Sequence, residues 1–245
     1  EFEARIRKGA NFIDRLLAED GVIYGVTTGY GDSCTVSIPL SLVPELPHHL
    51  YTYHGCGAGA YLTPEQTRAV LATRLASLSQ GVSGVSFELL CQIERFLQHD
   101  LLPLIPSEGS VGASGDLTPL SYLAATLCGE REVLLKGERM PAAQALRVLD
   151  IAPLRLRPKE GLAIMNGTAV MTALACLAFE RASYASQLAS RLTAMNVLAS
   201  AGNAHHFDED LFAVKPHPGQ QQVAAWIRSD LDCDQPSRNE QRLQD

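Results

Sequence analysis

A single helical pattern about 40 residues long constrains the fold of this chain more than any other feature. Apolar residues recur with the helical period from residue 162 to about residue 201, after the proline-bearing linker at 152–161. At about 1.5 Å per residue, one helix of this length would measure roughly 60 Å. Such a rod needs partner helices along its whole length, yet only residues 203–245 follow it. We therefore expect a mainly α-helical bundle whose remaining helices come from a longer protein, from further copies of the chain, or from both.

The first half of this pattern could also be a membrane span. No charged residue lies between Leu162 and Phe179, a stretch of 18 residues, which is close to the length that crosses a bilayer. Polar residues interrupt it, beginning with Asn166, and the same helical period continues through charged residues from Glu180 onward. A helix that is apolar all round is otherwise the centre of a bundle. We interpret the pattern in that way and expect no membrane partner.

The composition is that of a soluble globular protein. Hydrophobic residues make up 46% of the chain, and the formal net charge is −7, whereas a nucleic-acid-binding protein would need a basic surface. The six cysteines form no C-x-x-C pair, and neither they nor the seven histidines are spaced as metal ligands. The first residues, EFEARIRKG, lack the apolar stretch of a signal peptide. We expect a cytoplasmic protein with reduced thiols, no metal and no nucleic-acid partner.

Capping residues and prolines predict the shorter elements. Thr63 opens a capping-box pattern for a helix that ends near residue 80. An apolar stripe predicts a helix within 86–106, ended by prolines, and Thr118 is expected to cap a helix that ends near residue 128. The stretch REVLLKGERM at 131–140 is the one strong β signal, and it predicts a hairpin with Gly137 at its turn.

The glycine-rich stretch EGSVGASGDLTP at 108–119 lies between an apolar run and a helix start. Its glycines at 109, 112 and 115 do not match the dinucleotide-binding fingerprint, and no Lys-Ser or Lys-Thr pair follows to form a phosphate loop. Aspartate at position 116 breaks the G-x-S-x-G pattern of a hydrolase nucleophile elbow. We therefore expect no nucleotide, and a plain surface turn is the simplest remaining interpretation.

The tripeptide Ala113-Ser114-Gly115 can also react with its own backbone. In a tight bend, the amide nitrogen of Gly115 can attack the carbonyl carbon of Ala113 and close a five-membered ring. Loss of two waters, one of them carrying the Ser114 hydroxyl, leaves an exocyclic methylidene. Each residue type suits this reaction, because glycine tolerates strained dihedrals, alanine is small and serine has a β-hydroxyl that can leave. The product is an electrophile, which ordinary side chains do not supply.

Five stretches resemble, in the same order along the chain, the aromatic amino acid ammonia-lyases and aminomutases, the family of the histidine and phenylalanine ammonia-lyases. These stretches are YGVTTGYG (24–31), YHGCGAG (53–59), GSVGASGDLTPL (109–120), EGLAIMNGT (160–168) and KPHPGQ (215–220). The resemblance implies a methylidene-imidazolone prosthetic group formed from Ala113, Ser114 and Gly115. It also implies the aspartase-like helical-bundle fold with minor short β hairpins, and a homotetramer whose active sites are shared between subunits.

The resemblance also implies a division of the chain. Residues 1–158 would form an N-terminal domain that carries the prosthetic-group loop, and residues 159–245 would begin the central long-helix domain. Family members are much longer than this chain, and in them a later Tyr-Ser-x-Arg stretch binds the substrate carboxylate. We therefore expect this chain to be an incomplete part of such an enzyme.

Tyr24 opens the first stretch, where the family has its catalytic tyrosine, and is the predicted base that removes the β-proton of the substrate. A phenol titrates with a pKa of about 10, so it needs nearby groups that stabilise phenolate. The glycines at 25, 29 and 31 would let backbone amides approach it. The alternative is a tyrosine that is merely packed at the edge of a loop. Asp116 resembles the residue that assists ring formation, and its alternative is a simple turn residue.

Asn166 and His54 are the predicted substrate-binding residues. Asn166 interrupts an apolar helical pattern, where a buried amide costs free energy unless it is hydrogen-bonded. The resemblance makes it a contact to the prosthetic group and the substrate carboxylate, and a bond to a neighbouring helix is the alternative. His54 stands where histidine- and tyrosine-using members carry histidine and phenylalanine enzymes usually carry an apolar residue. It can hydrogen-bond a phenol or an imidazole, although Gly55 follows it instead of a bulkier residue.

The predicted reaction is the loss of ammonia from an aromatic L-amino acid, either histidine to urocanate or tyrosine to coumarate. The stretch KPHPGQ resembles the histidine-lyase form and favours histidine. An aromatic amino acid 2,3-aminomutase begins with the same chemistry and is the first alternative. The second is a non-catalytic helical assembly module in which Ala113-Ser114-Gly115 stays an ordinary peptide.

Overall fold

The structure, a computed structural model, describes residues 1–19, 21–112, 115–231 and 240–241. These residues form ten α-helices and five short strands, in agreement with the predicted mainly α fold. The helices are α1 (Phe2–Ala18), α2 (Leu46–Tyr53), α3 (Pro64–Leu78), α4 (Phe87–Gln98), α5 (Leu117–Leu127), α6 (Ala142–Val148), α7 (Glu160–Met165), α8 (Ala169–Ala199), α9 (Glu209–Ala213) and α10 (Pro218–Leu231). The strands are β1 (Ala58–Tyr61), β2 (Leu101–Pro103), β3 (Pro106–Glu108), β4 (Glu132–Leu135) and β5 (Glu138–Pro141).

The chain divides into two compact units, Glu1–Ala175 and Cys176–Asp245. The first unit contains the main core, which includes the buried side chains of Leu71, Leu78, Ile93, Phe96, Leu120 and Leu123 from α3, α4 and α5. The second unit contains a small core between the end of α8 and helix α10, made by Ala194, Val197, Ile227 and Leu231. The boundary expected between residues 158 and 159 stays a prediction.

The predicted start of α3 and the predicted hairpin are confirmed. The Thr63 hydroxyl accepts a hydrogen bond from the Gln66 N–H at 3.2 Å, and the Gln66 Oε1 accepts one from the Thr63 N–H at 2.9 Å, which completes a capping box. Strands β4 and β5 pair antiparallel across Lys136 and Gly137, whose φ angles are +50° and +90°. Two positive φ angles give a turn that matches the right-handed twist of a hairpin.

The helix predicted within 86–106 ends earlier than its apolar pattern suggests. Helix α4 stops at Gln98, and Leu101–Pro103 forms strand β2, which pairs with β4. Residues Pro106–Glu108 form β3, which pairs with β1. A short apolar run between prolines suits a buried strand as well as a helix, and its period cannot separate the two. Pro103 is tolerated because β2 is the edge strand of a three-stranded sheet.

Helix α5 begins before its predicted cap. Its first residue is Leu117, so Thr118 lies inside the helix and the N-cap position falls to Asp116. The Asp116 side chain makes no capping bond to α5, because its carboxylate bonds the first turn of α8 instead. The capping pattern in the sequence pointed to the wrong residue for this reason.

The predicted long helix is two helices separated by residues 166–168, which we call the helix break. Helix α7 ends at Met165 and α8 begins at Ala169. The expected single rod is therefore a short helix followed by one of 31 residues, about 46 Å long at 1.5 Å per residue. The prediction of one continuous helix is wrong at Asn166, whose backbone angles (φ −87°, ψ 87°) are not helical.

Helix α8 exposes large apolar side chains in the second unit, namely Phe179, Tyr184, Leu188, Leu192, Met195 and Leu198. By length and composition alone, Glu160–Ala199 could cross a membrane. The central helix of a soluble bundle has the same composition. The exposed side chains fit the expected partner helices, and both the bundle assembly and the lack of a membrane partner stay predictions.

Candidate active site

Three helices that pack against one another carry predicted site residues at their ends. Helices α2, α5 and α7 are in mutual contact in the first unit. His54 follows the last residue of α2, Asp116 precedes the first residue of α5, and Asn166 follows the last residue of α7. Helix ends leave backbone N–H and C=O groups that need partners from outside the helix. The packing therefore places these three residues beside helix ends whose backbone N–H and C=O groups can bind side chains or ligands.

Gly115 approaches the helix break so closely that a larger residue would not fit. Its φ is +106°, and a Cβ built on it would lie 2.6 Å from the Gly167 nitrogen and 3.2 Å from the Asn166 Cα. Gly112 has a positive φ as well, at +65°. Ala113 and Ser114 lie outside the described residues. Both the backbone conformation and the available space thus require glycine at position 115, which is the residue whose nitrogen would close the predicted ring.

Asp116 is buried, with only 5% of its surface exposed, and it joins the glycine-rich loop to α8. Its Oδ2 accepts hydrogen bonds from the Val170 N–H at 2.9 Å and the Met171 N–H at 3.1 Å. Its Oδ1 accepts one from the Ser110 hydroxyl at 3.1 Å, and its own N–H donates to the Gly167 carbonyl at 2.7 Å. The carboxylate therefore caps the positive end of α8, so Asp116 is more than a turn residue.

Asp116→Ala is expected to lower the free energy of unfolding by about 2 kcal/mol or more, the top of the range for lost helix caps. The change leaves the Val170 and Met171 N–H groups without their acceptor, and an unmet buried donor adds its own cost. Asp208→Ala is the matched control, because Asp208 caps the five-residue helix α9 through one exposed bond. Urea unfolding should show a large loss for Asp116→Ala and a small one for the control. Equal losses would contradict the capping role.

Two buried charged side chains beside α7 were not predicted. Arg74 of α3 donates to the Ala163 carbonyl of α7. Burial lowers the pKa of Arg74 to about 10, against the opposing effect of nearby Asp116, so the guanidinium stays charged at neutral pH. Glu160 accepts hydrogen bonds from the Ser86 N–H at 2.8 Å and the Ser86 hydroxyl at 2.6 Å. Arg74 could have been noticed in the sequence because it lies on the buried apolar face of α3. A charged side chain on such a face is rarely buried unless it has a hydrogen-bond or ion-pair partner.

Asn166 is exposed, and the prediction that it lies within a buried apolar helix is wrong. Its N–H donates the last helical hydrogen bond of α7, to the Leu162 carbonyl at 2.8 Å, and its own backbone angles are no longer helical. Arg74 bonds a carbonyl in the last turn of α7, and Asp116 bonds the first turn of α8. Arg74 thus provides a donor for the C-terminal end of α7, and Asp116 provides an acceptor for the N-terminal end of α8. With both ends paired, residues 166–168 can leave the helical conformation. The contacts of Asn166 with a ligand stay a prediction.

Tyr24 lies in a loop shaped by glycines, as expected. Its hydroxyl oxygen accepts a hydrogen bond from the Gly31 N–H at 2.9 Å, and 52% of the residue is exposed. A Cβ on Gly25 would lie 2.7 Å from both the Tyr30 ring and the Leu162 side chain, so the loop packs directly on α7. Burial, and then nearby Tyr24, raises the pKa of Tyr30 to about 12, so Tyr30 stays neutral.

His54 has its ring oriented by the backbone of its own helix. The ring Nδ1 lies 2.9 Å from the Leu50 carbonyl oxygen. A carbonyl oxygen only accepts hydrogen bonds, so Nδ1 carries a proton, and Nε2 of the neutral ring is then an acceptor. The His54 carbonyl accepts a hydrogen bond from the Ser121 hydroxyl of α5 at 3.2 Å. The ring thus presents an acceptor that suits a phenol O–H or an imidazole N–H.

The arrangement combines groups for proton transfer and for polar recognition. Tyr24 provides a phenol beside a backbone donor, and His54 provides an oriented acceptor. Within the described residues, no group of three or more His, Cys, Asp or Glu side chains could hold a metal ion. Gly115, which is packed closely against the helix break, belongs to the tripeptide that could react with its own backbone.

The chain is similar to known proteins of one family. A family model described as aromatic amino acid lyase matches residues 1–245. Histidine ammonia-lyase of Bos taurus is 42% identical over 233 residues, which are 95% of this chain and 36% of that protein.

Solved structures resemble the chain over most of its length. Tyrosine aminomutase from Streptomyces globisporus matches 94% of this chain with a TM-score of 0.87 and 36% identity. Histidine ammonia-lyase from Trypanosoma cruzi matches 93% with a TM-score of 0.84 and 34% identity. The chain spans only 43% and 44% of those two structures, so it is similar to less than half of each.

Proposed function

The chain belongs to the aromatic amino acid lyase family, and from this membership we propose that its protein eliminates ammonia from an aromatic L-amino acid, converting histidine to urocanate or tyrosine to coumarate. The histidine ammonia-lyase relatives support this class of reaction. One structural observation carries the proposal, which is the position of Gly115 against the helix break, in a conformation and a space that suit only glycine. A plain surface turn would not need so close an approach.

The residues around Gly115 fit a methylidene-imidazolone formed from Ala113, Ser114 and Gly115, which would supply the electrophile that turns the substrate's ammonium into a leaving group. Gly115 has the bend and the lack of a Cβ that ring closure requires. Asp116 holds the following peptide on the helix break through its N–H and its carboxylate. We propose no metal and no nucleotide.

In this proposal, Tyr24 removes the β-proton of the substrate. Its oxygen accepts the Gly31 N–H, and a further lone pair remains for the substrate proton. Asn166 binds the substrate carboxylate and the prosthetic group from the exposed helix break. His54 selects the substrate ring through Nε2. A cytoplasmic homotetramer with shared active sites belongs to the same proposal.

An aromatic amino acid 2,3-aminomutase is a second candidate, favoured by the likeness to the solved tyrosine aminomutase. It would begin with the same removal of the β-proton and would then return ammonia to the β-carbon. The product separates the two candidates, because only the aminomutase accumulates a β-amino acid. A non-catalytic assembly module is a third candidate, and it requires the tripeptide at 113–115 to remain an ordinary peptide.

Intact mass and a product assay test the proposal together. The full-length protein should weigh two water molecules less than its sequence, and peptide mapping should place that loss at residues 113–115. Incubation with histidine, tyrosine or phenylalanine should release ammonia, with urocanate, coumarate or cinnamate followed by absorbance. An unmodified mass and no product from any of the three would overturn the proposal in favour of the module. A β-amino acid product would replace the lyase with the aminomutase.

His54→Phe is expected to raise the turnover of phenylalanine relative to that of histidine and tyrosine. With phenylalanine in the wild-type site, the His54 acceptor would lose its partner and go unpaired once water is excluded. The ratio of kcat/KM for the polar substrates to that for phenylalanine should fall by about 10-fold or more. His49→Phe, an exposed position on the same helix, is the control. If the wild type prefers phenylalanine, or if His54→Phe leaves the order of preference unchanged, His54 does not select the substrate.

A further inference from the structure

We propose that Arg131 is a positioning residue for His54 and thereby helps to set the choice of substrate, an inference that rests on the proposed function. Arg131 lies between α5 and β4, outside the five stretches that resemble the family. Its guanidinium reaches back to the end of α2, where His54 lies. No motif or spacing in the sequence connects these two residues.

The guanidinium of Arg131 joins α2 to α5. Its Nη2 donates to the Tyr51 carbonyl in the last turn of α2 at 2.6 Å, and its Nη1 donates to the Ser121 hydroxyl oxygen of α5 at 3.0 Å. Its central carbon also lies 4.1 Å from the centre of the Tyr122 ring. A cation at this place suits both the negative end of a helix and the face of an aromatic ring.

The residues that hold Arg131 also hold the backbone around His54. The Ser121 hydroxyl oxygen, which accepts from Arg131, lies 3.2 Å from the His54 carbonyl and 2.7 Å from the Thr118 carbonyl, so its single proton is shared between the two carbonyls. The Tyr122 hydroxyl oxygen accepts a hydrogen bond from the Gly57 N–H at 3.2 Å. The backbone is therefore fixed on both sides of His54, and its ring is fixed through Nδ1 on the last turn of α2. A shift of the Arg131 guanidinium would release this turn.

Gly55 leaves the space that the guanidinium occupies. A Cβ built on Gly55 would fall on the Arg131 Nη2 and would lie 2.9 Å from its central carbon. The backbone of Gly55 is not in the left-handed region, so its conformation would accept alanine. The same Cβ would lie 3.2 Å from the Thr52 carbonyl oxygen, so the guanidinium is the closer of two neighbours that favour glycine next to His54. This accounts for the small residue that follows the selectivity histidine.

The backbone of Arg131 is itself in an unfavourable conformation, with φ at +61°. A residue with a Cβ loses free energy there, whereas glycine does not. Such a residue persists where its surroundings fix it, and the contacts of the side chain with α2 and α5 do so here. The substitution Arg131→Gly therefore removes the guanidinium without straining the chain.

A double-mutant cycle on Arg131 and Gly55 tests the proposal in the full-length enzyme. Arg131→Gly, Gly55→Ala and the double variant should each lower the ratio of kcat/KM for histidine or tyrosine to that for phenylalanine, by about 10- to 100-fold for a displaced recognition group. Alanine at position 55 expels the same guanidinium that Arg131→Gly deletes, so the two effects should not add. A general loss of folded enzyme would lower all substrates equally and leave the ratio unchanged.

The effect of Arg131→Met on the substrate ratio should be compared with that of Arg139→Met, which is the matched control. Arg139 also bonds a neighbouring side chain, Glu132, and also lies over a tyrosine ring, that of Tyr61, but it is exposed. Its loss should leave the ratio at the wild-type value. An active wild type whose ratio is unchanged by Arg131→Gly and Arg131→Met, or additive effects at positions 55 and 131, would overturn the role of Arg131 alone. No turnover by the wild type would overturn the proposed function and this inference with it.

Discussion

Ser114→Ala is expected to abolish turnover of every aromatic amino acid while leaving the helices intact. Alanine has no β-hydroxyl to lose, so no methylidene can form and the substrate's ammonium group keeps its poor leaving ability. Enzymes commonly accelerate their reactions by about 10⁶-fold or more, so losing the reactive group should reduce activity to the detection limit. The helices on either side should keep their packing, because Leu120 and Leu123 of α5 remain in the main core. Product absorbance and intact mass should be measured on the same sample of the full-length protein.

Ser107→Ala is the matched control for this loss. Ser107 is an exposed serine in β3 of the same region, so its replacement should leave both the loss of two waters and the turnover at their wild-type values. Near-normal activity in Ser114→Ala would disprove the prosthetic-group proposal. Loss of activity in both variants would show that the region is merely sensitive to change.

Tyr24→Phe should lower kcat by at least about 10²-fold, the low end of general acid–base catalysis. The substitution removes one oxygen, the one that accepts the Gly31 N–H at 2.9 Å. The ring itself remains, so its packing should be retained and the free energy of unfolding should change little. The prosthetic group should still form, because Tyr24 has no part in ring closure. Stopped-flow or steady-state turnover with the preferred substrate measures the effect.

Tyr61→Phe provides the comparison for Tyr24→Phe. Tyr61 is exposed to a similar degree, 45% against 52%, and it lies on β1. The control should keep wild-type kcat. If Tyr24→Phe has the kcat of the wild type within error, Tyr24 returns to a packing role and another residue must be the base.

Elements whose signals lie in neighbouring residues could be predicted from the sequence. The capping box at Thr63 and the hairpin turn at Gly137 depend on residues no more than a few positions apart, and both are present. The strand at Leu101–Pro103 was not predicted, because it exists by pairing with β4 and not by its own pattern. The start of α5 was misplaced for a similar reason, since the Asp116 carboxylate bonds a helix more than 50 residues further along the chain.

The candidate site shows the same division between local and distant causes. The glycines around Tyr24 predicted a close backbone donor, and Gly31 provides one. The exposure of Asn166 could not be predicted, because the apolar helical pattern continues on both sides of it. The helix break depends instead on Arg74, which comes from α3, and on Asp116, which precedes α5. The spacing of apolar residues shows which face of a helix is buried. It does not show which side chains from other parts of the chain form hydrogen bonds with the ends of that helix.

The capping of α8 by Asp116 also determines how this part of the chain can open. The N–H groups in the first turn of a helix usually lack a backbone acceptor and are the first to exchange with solvent. Those of Val170 and Met171 are bonded to a buried carboxylate, so they can exchange only when Asp116 leaves its place. Fraying of α8 from this end and release of the Asp116 carboxylate are therefore one cooperative event. The first turn of α8 is thus protected from transient opening by a residue that lies more than 50 positions earlier in the chain.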